Sequence, residues 1–169
     1  MKKAIIAGIL CGALLLDCSV TVKANSLSYR EQSEQIPMEI IEYSEIVGHE
    51  FNICPELLQS IAYHESRFNP EAINGDCVGL MQVKASAHAD KLKENGWSAD
   101  DLNNPYVNMY IAADYLADLF EQYEDVGEVI LRYNGAKTAL KEYKRSGKLN
   151  KYTEGVLTMS AELERKNDK

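Results

Sequence analysis

The chain has 169 residues, four cysteines and a net charge of −8 at pH 7. That is enough for one domain with a buried core. The acidic balance excludes adhesion to nucleic acid or to an anionic wall through overall charge.

The first residues read MKKAIIAGILCGALLLDCSVTVKA. Two lysines, an apolar run from Ala4 to Leu16 and small residues at Val22 and Ala24 predict a secretory signal peptide over 1–24. The run is shorter than the roughly 20 apolar residues a span needs, so no membrane span is expected after cleavage. An uncleaved anchor is the alternative. Export to the extracellular, cell-wall or periplasmic space follows. Cleavage removes three lysines and one aspartate and leaves the mature chain more acidic. Residues 25–36 are polar and without periodicity, a linker. Residues 37–163 form the domain and 164–169 a charged tail.

Helical periodicity begins at Pro37, with Ile40, Tyr43, Val47 and Phe51 on one face and Gly48 weakening the end. Pro55 opens a second helix reaching about Phe68. Asn74-Gly75-Asp76 signals a turn, and Gly79 to Val83 an extended pass. A third helix runs from about Lys84 to Glu94, stopped by Asn95-Gly96. Trp97, in a connection, reads as a core anchor in preference to a sugar platform. A long helix follows Asn104-Pro105 to about Glu124, then shorter ones over 128–133, 138–145 and 152–163. Strand signals are nearly absent, so the fold class is mainly α with at most a minor β ribbon.

One residue breaks the apolar pattern. Glu65 lies seven after Leu58 and four after Ile61, on the stripe that faces the core. It falls in the last turn before Asn69-Pro70, near the negative end of the helix dipole. Both placements disfavour the carboxylate, as a general acid requires. The rival reading is a carboxylate paired with Arg67. Of the cysteines in the mature chain, Cys54 and Cys77 are expected to form a disulfide, as suits an exported chain. Free buried thiols, or a catalytic thiol served by His64 or His88, are the alternatives. No metal or cofactor is expected. His64-Glu65 resembles the start of a zinc-peptidase helix, but Phe68 stands where the second histidine belongs. His49, His64 and His88 have no ligand spacing.

Four segments carry a resemblance. Glu65-Ser66-Arg67-Phe68-Asn69-Pro70 is followed by Gly79-Leu80-Met81-Gln82, by Asn108 with Tyr115-Leu116, and by Tyr133-Asn134-Gly135-Ala136. In this order they resemble the soluble-type lytic transglycosylases within the goose-type lysozyme-like superfamily, over about residues 38 to 160. Ala112 replaces a glycine of the third motif, and Gly135 and Ala136 are exchanged in the fourth. Tyr152 and Val156 match the family's last Tyr and Val, while the Glu-Thr pair before them is missing.

The resemblance implies a lysozyme-like single domain whose groove takes peptidoglycan glycan strands. Glu65 is then the catalytic acid and base. Ser66 is expected to bond the sugar or Glu65, Met81 and Gln82 to line the groove, and Tyr133 to hydrogen-bond Glu65. Asn134 is expected to orient backbone or an acetamido group, and Tyr152 to close the groove. Lys84 stands where goose-type lysozymes commonly carry an aspartate for the hydrolytic water. That favours transglycosylation over hydrolysis unless Asp76 or Asp90 substitutes. A non-catalytic wall-binding protein is the alternative class. The partners expected are the glycan strands and a secretion or conjugation machine.

Overall fold

A computed structural model describes residues 36–167. The expected leader and nearly all of the linker lie outside the described residues. Among the described residues, seven α-helices and a small ribbon make up the domain. Helix α1 spans Met38–Phe51 and α2 spans Pro55–Ser66. Strands β1 (Ile73–Asn74), β2 (Cys77–Val78) and β3 (Val83–Lys84) pair antiparallel in the order β1-β2-β3, with Ile73 opposite Val78 and Cys77 opposite Lys84. Then come α3 (Ala89–Glu94), α4 (Pro105–Gln122), α5 (Val126–Tyr133), α6 (Lys137–Ser146) and α7 (Lys151–Lys166).

The helix starts follow the sequence. Proline occupies the first position of α2 and of α4, where its missing N–H costs nothing. Side chains of Asn104, Asp125 and Asn150 accept from first-turn N–H groups of α4, α5 and α7, satisfying donors a helix leaves orphaned. The third expected helix differs. Residues 83–84 pair as a strand, 85–87 make one 3₁₀ turn, and α3 begins only at Ala89. Ladder pairing of so short a segment leaves no period-two signal in the sequence.

The core is built around α2, which is buried from Glu56 to Ala62. Helices α1 and α7 pack along it. Helix α7 runs antiparallel to it: Asn167 donates to the Glu56 carboxylate at 2.8 Å at one end, and Tyr152 meets Glu65 at the other. Between them the Ser60 hydroxyl donates to the Val156 carbonyl at 2.7 Å. Helix α4 covers α1 through aromatic edges, Tyr43 on Tyr106 and Phe51 on Tyr110. Trp97 meets Tyr110 edge-on at 5.1 Å and joins this core, as the sequence suggests. Gly48 does more than weaken α1. A Cβ there would stand 2.6 Å from the Ile53 carbonyl oxygen and 3.2 Å from Pro55, so its absence lets the chain turn from α1 into α2. Among the described residues no helix is long and apolar enough to cross a membrane.

The expected disulfide is not formed; Cys54 and Cys77 are both free thiols. Cys54 precedes α2, whereas the ribbon carrying Cys77 is tied to the other end of that helix, where Ser66 donates to the Leu80 carbonyl at 2.8 Å. Twelve helical residues separate the ends by about 18 Å, and a disulfide needs Cα atoms within about 7 Å. Cys54 instead donates to Glu56 at 2.9 Å, and burial together with that carboxylate pushes its thiol pKa up to about 12.

Candidate active site

The face predicted from Leu58 and Ile61 is fully buried, and it carries the Glu65 side chain into a half-buried position at the end of α2. The helix stops one residue later. Arg67 and Phe68 both adopt left-handed backbone, φ 57° and 64°, a conformation uncommon for side-chain-bearing residues and often found at functional sites. This turn swings Arg67 outward. Its guanidinium lies 4.1 Å over the Tyr63 ring and makes no ion pair with Glu65. The rival reading of Glu65 therefore falls.

Burial holds the Glu65 carboxyl above its ordinary pKa, while Tyr152 and Asn134 side chains pull it part of the way back. The Tyr152 hydroxyl donates to Glu65 Oε1 at 2.5 Å. Burial, and then the same carboxyl, raise the Tyr152 phenol far above the usual range, so it stays a donor at any ordinary pH.

The Gly79–Gln82 segment is fastened beside Glu65 from three sides. Asn108, fully buried on α4, receives the Met81 N–H at 2.7 Å and donates to the carbonyls of Val78 and Leu102, both at 2.9 Å. Ser66 clamps the Leu80 carbonyl, and Tyr133 donates to the Met81 carbonyl at 2.8 Å. Gly79 has φ 77°, and a Cβ there would collide with the Asn108 amide, 2.8 Å from its Cγ, and stand 2.9 Å from the Leu102 carbonyl. Only glycine fits both constraints.

These contacts redistribute the expected roles. Ser66 bonds the backbone of Ala62 and Leu80, not Glu65. The Met81 side chain is fully buried in the core and lines no groove. The Gln82 amide donates inward to the Ala72 and Gly79 carbonyls at 3.1 and 3.0 Å, on a left-handed backbone of φ 51°. Tyr133 and Tyr152 exchange parts: Tyr152, expected to close the groove, holds Glu65, and Tyr133, expected to hold Glu65, braces the ribbon. Asn134 is exposed and interacts with both Glu65 and Tyr152. Sequence reasoning found Asn108 only as a motif match. Its burial as the sole asparagine inside the apolar face of α4 was the available signal. Lys84 is held by Asp76 at 2.7 Å in an exposed ion pair, which engages one of the carboxylates able to replace the missing aspartate.

Residues 42–154 match the model of the transglycosylase SLT domain. X polypeptides of Escherichia coli are 34% identical over 96 residues, which cover 53% of this chain and 56% of theirs; the match thus spans little more than half of those relatives. Protein IpgF of Shigella flexneri is 30% identical over 130 residues, covering 71% of this chain and 82% of its own. Among solved structures, an inactive mutant of the lytic transglycosylase Slt from Pseudomonas aeruginosa superimposes with a TM-score of 0.67 at 18% identity, over 83% of this chain and 28% of that one. At that identity the likeness is one of fold, and it agrees with the lysozyme-like domain expected from the motifs.

Proposed function

The chain belongs to the transglycosylase SLT domain family, and from that premise we propose that it cleaves peptidoglycan strands without water, leaving 1,6-anhydro-N-acetylmuramic acid ends. The observation that carries this is the desolvated Glu65 with a phenol donor at 2.5 Å. Glycosidases that hydrolyse with a carboxylate pair hold the second acid within about 5–9.5 Å; the side chains that act on Glu65 are instead the Tyr152 phenol and the Asn134 amide. One residue then serves twice. Protonated Glu65 gives its proton to the oxygen between N-acetylmuramic acid and N-acetylglucosamine, and that bond breaks. The substrate's acetamido oxygen closes on the anomeric carbon as an oxazolinium. The Glu65 carboxylate next removes the proton of the 6-hydroxyl, whose oxygen displaces the acetamido oxygen and closes the anhydro ring. The proton count of Glu65 is restored.

Mass spectrometry of digested, purified peptidoglycan tests the reading. Products lighter by one water than hydrolytic fragments are expected; reducing ends alone would make the protein a muramidase. Export through the leader, and local wall opening for a secretion or conjugation machine or for remodelling, complete the proposal. Co-purification with such a membrane complex supports the machine, and a free protein with no partner counts against it.

The pH dependence follows from the same carboxyl. The resting enzyme must hold Glu65 protonated, so kcat/KM is level at low pH and falls as pH rises through the Glu65 pKa, which lies above the ordinary 4.5. Tyr152 donates to the carboxylate and lowers that pKa. Tyr152→Phe should move the falling limb to higher pH and reduce the plateau about 10- to 100-fold, the worth of a hydrogen bond to a charged group. A limb that stays in place in Tyr152→Phe would remove Tyr152 from the acid's environment.

A further inference from the structure

The chain is acidic, but its charge is not evenly spread. Six of its 18 Lys and Arg residues fall within 137–151, against one of its 26 Asp and Glu. This stretch is α6 and its connection to α7, and α6 buries none of its residues. Lys137, Lys141 and Lys144 follow at spacings of four and three, on one face of the helix, and Lys148 and Lys151 continue past Gly147. All five are exposed. Lys144 reaches Glu128 at 3.1 Å and Arg145 is paired with Glu142. Lys137, Lys141, Lys148 and Lys151 form no ion pair among the described residues.

The two ends of this arm are fixed at the same point. It leaves the domain just after Asn134 and returns just before Tyr152, the two side chains that act on the Glu65 carboxyl. Lys137 is three positions after Asn134, at most about 11 Å of chain.

We infer that this arm receives the carboxylates of the peptide stems that hang from the glycan, with Lys137, Lys141 and Lys148 as the contacts. The inference rests on the reading of the preceding subsection. A stem is attached to the muramic acid ring whose glycosidic bond is cut, so its carboxylates are tethered near Glu65. A stem of three to five residues extends roughly 10–18 Å, the range over which the stripe runs. Lysines suit this task, because a point charge on a flexible side chain tolerates carboxylates in varying positions. An anionic membrane is the poorer occupant. The large apolar side chains left exposed among the described residues are Met38, Ile46 and Ile73, all distant in sequence from the arm, and an interfacial helix needs an apolar face beside its cations.

The test compares kcat/KM on glycan strands carrying stems with that on strands stripped of them by an amidase, at low ionic strength. The parent protein should favour stem-bearing strands about tenfold, the scale of a few exposed ion pairs acting together. In Lys137→Gln/Lys141→Gln/Lys148→Gln the ratio should fall towards one through a raised KM, and added salt should do the same to the parent. The matching triple replacement by Arg should retain the preference, which separates charge from a fault in folding. A ratio near one in the parent, or a preference kept by the Gln variant, overturns the inference while leaving the proposed reaction intact. Loss of binding to vesicles of anionic phospholipid in the Gln variant, with no stem preference in the parent, assigns the arm to a membrane and also overturns it. Failure of the parent to cleave either substrate overturns the proposed reaction itself.

Discussion

Glu65→Gln is expected to lower turnover of peptidoglycan strands by at least about 10³-fold, since one group is removed from both proton transfers and each is worth about 10²–10⁴. Glutamine keeps the shape of the side chain and an oxygen to accept from Tyr152, so the domain should fold unchanged. The stability effect has a definite sign. Burial raises the folded pKa of Glu65 above its unfolded value near 4.5. The folded state therefore holds more protons than the unfolded state as pH rises from 4.5 through the folded pKa, and stability declines over that window. The Gln variant has no such decline. Its thermal midpoint should match the parent below pH 4.5 and equal or exceed it at neutral pH. Activity within tenfold of the parent would remove Glu65 from the mechanism; a lowered midpoint at neutral pH would show that the carboxylate is paired after all.

Asn108→Ala should produce the largest loss of stability, about 3–5 kcal/mol. The amide is fully buried and answers the Met81 N–H and the Val78 and Leu102 carbonyls. Alanine leaves three backbone groups without their partner, at about 1–3 kcal/mol for each that stays dry. Against a total of roughly 5–15 kcal/mol that is a large fraction. Asn108→Asp is no rescue: it keeps an acceptor for Met81 but turns an anion towards two carbonyls. The urea midpoint, with an unchanged m value, measures the effect. A loss under about 1 kcal/mol would mean that water or a shifted ribbon takes over the bonds.

How far the site was legible from sequence depends on the distance over which each fact acts. Glu65 was visible because helical spacing alone relates it to Leu58 and Ile61. The starts of the second and fourth helices were visible because Pro55 and Asn104-Pro105 act on the residues next to them. Three-dimensional choices were not. Nothing local distinguishes the phenol 68 residues after Glu65 from the one 87 after it, and the structure chose Tyr152. Met81 sits in a motif expected to line a groove, yet only packing shows that its side chain is buried and that its carbonyl accepts from Tyr133. The count of cysteines spoke for a bridge, but a count carries no distance, and α2 stands between Cys54 and Cys77. A minor ribbon was allowed for, but its strands could not be placed, because two-residue strands have no period.

The antiparallel pairing of α2 with α7 also sets an order of events. A growing chain makes Glu65 long before it makes Tyr152, 87 residues later. Until the last helix is synthesised and laid along α2, the carboxyl has no phenol to meet and Ser60 has no Val156 carbonyl to hold. A nascent or half-folded molecule thus carries the acid without its setting. The Glu65–Tyr152 contact depends on α7 being laid along α2.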